Sequence, residues 1–234
     1  MKPRGSKKAA DSSAPIKKER KPMFNNDLME EICERKNLKD ALDRVVSNNG
    51  ATGTDNMQVG KLLAYLKVNW PQIKTQLLAG TYKPNPVRRV EIPKPNGKGT
   101  RKLGIPCVVD RFIQQAVMQI LQKGFDPTFS KYSYGFRPGK SAHQAILQAQ
   151  EYLKQGYEYV VDIDLEEFFN RINHDRLISA LMKVVKDKRV IALIRAFLNA
   201  GVMDGGLFKK NKRRRAAGRT AISTFIKHRV RRTG

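Results

Sequence analysis

Asp162 and Asp164 stand two residues apart in Tyr159-Val160-Val161-Asp162-Ile163-Asp164-Leu165-Glu166-Glu167-Phe168-Phe169, with Asn173-His174-Asp175 just beyond. The run around them is apolar and Asp is depleted in strands, so packing explains neither carboxylate. The two-residue period of a strand predicts both acids on one face, with Val161, Ile163 and Leu165 on the other. Paired acids suit a hard divalent cation such as Mg²⁺, which takes oxygen ligands and brings substrate phosphates with it. The plain alternative is a pair of solvated acids at a strand end.

Other motifs decide between these readings. Phe169 follows Asp164 by five residues. Upstream, Arg101-Lys102-Leu103-Gly104-Ile105-Pro106 leads into Asp110-Arg111-Phe112-Ile113-Gln114-Gln115-Ala116, and then comes Tyr132-Ser133-Tyr134-Gly135-Phe136-Arg137-Pro138-Gly139-Lys140-Ser141. From about Met23 to about Gly206, the order of these motifs resembles the reverse transcriptase/maturase encoded within bacterial group II introns. Reverse transcriptases of retron or diversity-generating type are an alternative. The long N-terminal extension and the Tyr-Gly-Phe-Arg-Pro-Gly-Lys-Ser motif favour the intron family.

The resemblance implies an α+β fold, the fingers of a right-hand polymerase plus an incomplete palm, with helices packed on a small antiparallel sheet. It implies RNA-templated DNA synthesis and intron splicing, with group II intron RNA, an RNA template with its DNA primer, and a deoxynucleoside triphosphate as partners. Two-metal nucleotidyl transfer needs carboxylates that hold ions about 3.5–4 Å apart. By resemblance Asp164 is the catalytic carboxylate and Mg²⁺ ligand, helped by the backbone carbonyl of Ile163 or Leu165, and Asp162 is a neighbour. Phe169 lies under the sugar and rejects a ribose 2′-hydroxyl. Arg101 and Lys102, with Lys94 as a weaker candidate, contact the triphosphate, and Arg137 lies near the template and nucleotide.

The family's next motifs, Pro-Gln-Gly-Gly and Tyr-Ala-Asp-Asp, do not occur in the chain, and no Asp follows Asp204. Back-translation of Gly218 to Gly234, started one base later, permits Gly-Gly-Pro-Leu-Ser-Pro-Leu-Leu. The expectation is a frameshift near the A-rich codons of Lys209 to Lys212, a tail over 209–234 that is out of frame, and no polymerisation by this form. The rival from another class is a non-enzymatic RNA-binding protein that grips intron RNA by shape and phosphate contacts.

Composition agrees with a polyanionic partner. The 234 residues are 40% hydrophobic, enough for a core, and carry a net charge of +25, which makes phosphate binding strongly salt-dependent. Eleven of the 46 Lys and Arg, and no acid, lie from Lys209 onward, so a basic body remains without the tail. The sequence holds no run of 18 apolar residues and no apolar signal core near its start, which predicts a cytoplasmic protein without a membrane anchor. Cys33 and Cys107 are read as ordinary reduced thiols. Nothing in the residues fixes an oligomeric state.

The elements that must position these groups are read from periodicity. Residues 1–22 are basic and poor in apolar residues, and are expected to be a disordered arm. Residues 23–106 are the N-terminal extension and fingers. A helical pattern starts at Phe24 and carries Leu28, Ile32, Leu38, Leu42 and Val45 to the break at Asn48 to Asp55. A helix with Leu62, Leu63 and Leu66 is expected to end near Trp70-Pro71, with another from Gln72 to Ala79. Val87 to Pro93 and Lys102 to Ile105 read as a hairpin that presents Arg88, Arg89, Lys94, Lys98, Arg101 and Lys102. A solvated basic face is the plain reading of that ribbon.

Residues 107–208 hold the rest of the fingers and the palm with the first catalytic motif. Asp110 is expected to cap a helix with Ile113, Val117, Ile120 and Leu121, and Ser141 one with Ala142, Ala145, Ile146, Ala149 and Leu153. Between them, Tyr134, Phe136 and Arg137 form the kind of mixture that stacks on bases and contacts phosphates; packing under a long loop is the alternative for the two aromatics. Leu177, Leu181, Val184 and Val185 predict one more helix and Val190 to Leu198 the last. His174 reads as a structural residue at a helix start, because polymerase chemistry rests on metals and positioning.

Overall fold

Leu28, Met29 and Ile32 recur at helical spacing and are almost fully buried, and they begin a core that extends to Leu198. The computed structural model describes residues 23–93, 97, 99–165 and 168–209. The expected arm over 1–22, Lys94, Lys98 and residues 210–234 of the expected tail lie outside the described residues, whereas Lys209, the first residue of that tail, is described.

The pattern after Phe24 forms two helices, α1 (Leu28–Ile32) and α2 (Arg35–Ser47), rather than one. Glu34 between them is extended, with ψ 140°. The corner lets the stripes of both helices face α4 (Val108–Phe125), which a straight rod would not. Gly53, in the loop after α2, lies so close to the next segment that a Cβ there would stand 2.5 Å from the Cys107 Cα.

The expected break at Pro71 is corrected: α3 (Leu62–Leu78) runs through it. Proline removes one helical N–H, a cost of about 3 kcal/mol in an exposed helix. Burial of Leu62, Leu66, Ile73 and Leu77 on one face outweighs that loss, and Trp70 meets Phe112 edge-on at 5.8 Å. Asp110 is not a cap either. Cys107 is the N-cap of α4, and Asp110 lies inside the first turn, 1% exposed. Its carboxylate accepts from the Tyr82 hydroxyl at 2.9 Å and the Asn85 amide at 3.0 Å. Burial pushes its pKa up to about 6 against those two bonds.

β1 (Val87–Pro93) and β2 (Thr100–Ile105) pair antiparallel as expected, with Arg88 opposite Ile105 and Glu91 opposite Lys102. After α7 (His174–Met182) and α8 (Lys188–Asn199), β3 (Val202–Asp204) and β4 (Leu207–Lys209) form a hairpin that periodicity did not show. β3 joins β1 in parallel, so the sheet has order β2-β1-β3-β4 and is mixed rather than wholly antiparallel. The fold is α+β: helices plus a small mixed sheet. No helix of the described residues is long and apolar enough to cross a membrane.

Asp187 locks the start of α8 to α1. It is 2% exposed and accepts from the Met29 amide at 2.9 Å, while Arg189 binds both Asp187 and Glu30. Burial opposes ionisation of Asp187, yet the bonds from Arg189 and Met29 hold its pKa below the usual carboxylate value.

Candidate catalytic segment and nucleic-acid surface

The sequence predicts a strand from Tyr159 to Leu165, and here the structure corrects it. No strand is assigned to these residues, and none of the described residues pairs with them. Val160 is 86% exposed, Val161 81% and Ile163 77%. An isolated extended segment gains neither ladder bonds nor a buried face, so β-branched composition alone does not make it a strand. Asp162 and Asp164 are exposed, and the Asp164 carboxylate accepts from its neighbour, the Leu165 amide, at 2.9 Å. The carbonyls of Ile163 and Leu165 belong to the same stretch, that of Leu165 accepting from the Phe168 amide at 3.4 Å. Phe169 falls in α6 (Phe168–Arg171), and its side chain is not among the described groups.

α5 (Ala142–Lys154) forms as expected and is capped as expected. The Ser141 hydroxyl accepts from the Gln144 amide, and the Gln144 side chain accepts from the Ser141 amide at 3.1 Å. Its apolar residues, however, find no core among the described residues: Ile146, Leu147 and Leu153 are all more than half exposed. The cap makes the helix; packing does not.

Arg88, Arg89, Arg101 and Lys102 do come together on the β1–β2 ribbon. Their environments differ. Arg101 and Lys102 are exposed, and Lys102 meets Glu91 at 3.6 Å in a solvated pair worth little. Arg89 reaches Asp204 at 3.4 Å, and Lys209 reaches the same carboxylate at 3.0 Å. These cations, Lys209 first, hold the Asp204 carboxyl below its usual pKa. The Arg88 Nε is buried and has no partner among the described residues. Sequence reading missed Asp204 and Lys209 as partners of the ribbon, because β3 and β4 are too short for a periodic signal.

Arg137 turns inward. Its guanidinium makes a two-bond pair with Asp126, at 2.8 and 3.1 Å, and donates to the carbonyls of Ser130 and Ser133. It staples the loop that carries Tyr134 and Phe136. Phe136 has φ 59°, a left-handed conformation that costs a residue with a Cβ about 1–2 kcal/mol, and its side chain is 64% exposed. Tyr134 is half-buried, with the Lys140 ammonium 5.4 Å from its ring centre.

The donor set can be tested against a two-ion site. Among the described residues, no group of three His, Cys, Asp or Glu side chains could hold a metal. Asp164 therefore offers one carboxylate, and these residues do not complete a two-ion centre by themselves. His174 is buried at the start of α7, and burial lowers its pKa, so it is a neutral structural group as expected. Burial also pushes the Cys33 thiol up to about 11, which leaves it unreactive.

Comparison with known proteins follows the same lines. Residues 92–223 match the family model described as "Reverse transcriptase (RNA-dependent DNA polymerase)". Protein YkfC of Escherichia coli K12 is 35% identical over 188 residues, covering 78% of this chain and 49% of that protein. The group II intron-encoded protein LtrA of Lactococcus lactis is 34% identical over 172 residues, covering 74% of this chain and 27% of LtrA. The chain thus spans half or less of the length of these relatives. A chain of the partial Cas6-RT-Cas1--Cas2 complex superposes with a TM-score of 0.56 at 20% identity, covering 85% of this chain and 33% of that one, a likeness of fold.

Proposed function

The chain belongs to the reverse transcriptase family, and from that premise we propose that it is the RNA-holding fingers and first catalytic-motif portion of a group II intron reverse transcriptase/maturase. One observation supports this division of labour above the others. The basic ribbon is paired to β3 and leads directly into the buried helix α4, whereas the stretch that carries Asp164 pairs with no described strand. The chain in this form binds intron RNA and does not polymerise.

In this reading Arg101 and Lys102, with Lys94, take the triphosphate in the complete enzyme, and Phe169 lies under its sugar. Arg88 and Arg89, on opposite faces of β1, are template or other nucleic-acid contacts. Tyr134 and Phe136 stack on bases, and Arg137 positions them through Asp126. Asp164, with a carbonyl of Ile163 or Leu165, is one part of the ion site, for which Mg²⁺ is our assignment. When bound, such ions activate a primer 3′-oxygen and steady pyrophosphate.

Titration of group II intron RNA against salt tests the binding half. Affinity should fall steeply, roughly one power of salt concentration per phosphate contacted. Affinity that does not change with salt overturns it. Primer extension on an RNA template with Mg²⁺ tests the other half: no incorporation is expected, and template-dependent incorporation abolished by Asp164→Ala contradicts it.

A further inference from the structure

A second feature of the body points to a base-reading site. Between α3 and the segment after it lies an open cavity of about 440 Å³, within the range of small-ligand sites. Tyr65, Asn69, Gln72 and Gln76 line it from one face of α3, at spacings of four, three and four residues. The adjoining stripe of α3, Leu62, Leu66, Ile73 and Leu77, supplies the helix's core contacts, with Ile73 at the cavity's edge, so the amide stripe is not there for packing. Asp55, Tyr82 and Lys83 complete the rim.

Each group has hydrogen-bonding capacity to spare. The side-chain amides of Gln72 and Gln76 bond to no other described residue. Asn69 Nδ2 donates to the Tyr65 carbonyl at 2.9 Å, which leaves its oxygen as an acceptor. Asp55 Oδ1 accepts from the Met57 amide at 3.2 Å, and its second oxygen is available. The far wall is rigid, because buried Asp110 holds both the Tyr82 hydroxyl and the Asn85 amide. Amides beside a tyrosine ring, with one acceptor and one cation on the rim, match the edge, the face and the phosphate of an unstacked nucleotide.

We propose that this cavity takes one unpaired base of a single-stranded RNA segment. Tyr65 stacks on the base, Gln72 and Gln76 read its edge, and Lys83 contacts the adjoining phosphate. The inference rests on the RNA-binding reading above and adds a single-strand preference to it. A duplex keeps its bases stacked and paired, so it cannot fill the cavity.

Fluorescence anisotropy on the full chain tests this with four labelled homopolymer oligoribonucleotides and a duplex RNA of equal length. Gln72→Ala/Gln76→Ala should weaken the best single strand about 10-fold or more and leave duplex affinity unchanged. Tyr65→Leu should do the same, and Tyr65→Phe, which keeps the ring, should retain binding. Gln72 and Tyr65 are exposed, so these changes spare the core; circular dichroism and the melting midpoint confirm folding. Parallel losses on single strand and duplex, or no loss on either, overturn the base site, the latter also being the result if the cavity takes a peptide instead. A parent chain that binds neither RNA overturns the wider RNA-binding reading.

Discussion

Helix α4 and helix α5 carry similar sequence signals and have opposite fates. In α4, Ile113, Ala116, Val117, Ile120 and Leu121 are all at most 6% exposed, on a helix that packs against α1 and α2. In α5, Ile146 is 56% and Leu153 60% exposed, and the strand-like stretch that follows is more exposed still. Amphipathic spacing states which face seeks a core. Only the presence of a partner surface decides whether it finds one.

The largest effects should lie on the packed side. Ile113→Ala should cost about 2–5 kcal/mol in urea unfolding, whereas Ile146→Ala should stay within about 0.5 kcal/mol. Equal costs would break the comparison. Asp187→Ala should cost about 1–3 kcal/mol, since it leaves the Met29 amide without its acceptor while Arg189 keeps Glu30.

A pH effect of intermediate size follows from Asp110. Its folded pKa of about 6 exceeds the ordinary value of 3.8, so the folded chain binds more protons between these limits. Its contribution to stability is therefore present at low pH and lost as pH rises from about 4 to about 6, on the order of 2–3 kcal/mol. Subtracting the pH profile of Asp110→Asn from that of the parent should isolate this fall; a difference that rises with pH would contradict it. Smaller again is the cap of α5. Ser141→Ala should cost about 1 kcal/mol of local helix stability, seen as faster amide exchange within α5 and no change in α4.

Much of the body was legible. The β1–β2 ribbon showed in its alternation, and the Ser141 cap showed in a Ser standing just before the apolar pattern of α5. The corner at Glu34, the passage of α3 through Pro71 and the burial of Asp110 were not legible, because each is settled by what α4 and its neighbours offer rather than by local preference. Of the site, residue types and their grouping on the ribbon could be read. The inward turn of Arg137 could not, since Asp126 is eleven residues away and nothing local marks it as a partner. The strand around Asp164 failed for the converse reason: its local preference is strong, and no described strand completes it.

The central claim is that a packed body holds RNA while the segment with Asp164 stays unpaired. Amide exchange followed peptide by peptide, with and without intron RNA, tests it most directly. The account predicts slow exchange in α4, fast exchange over residues 157–165 in both states, and slowing of β1 and β2 when RNA is added. Residues 157–165 as protected as α4, or a ribbon indifferent to RNA, would contradict it.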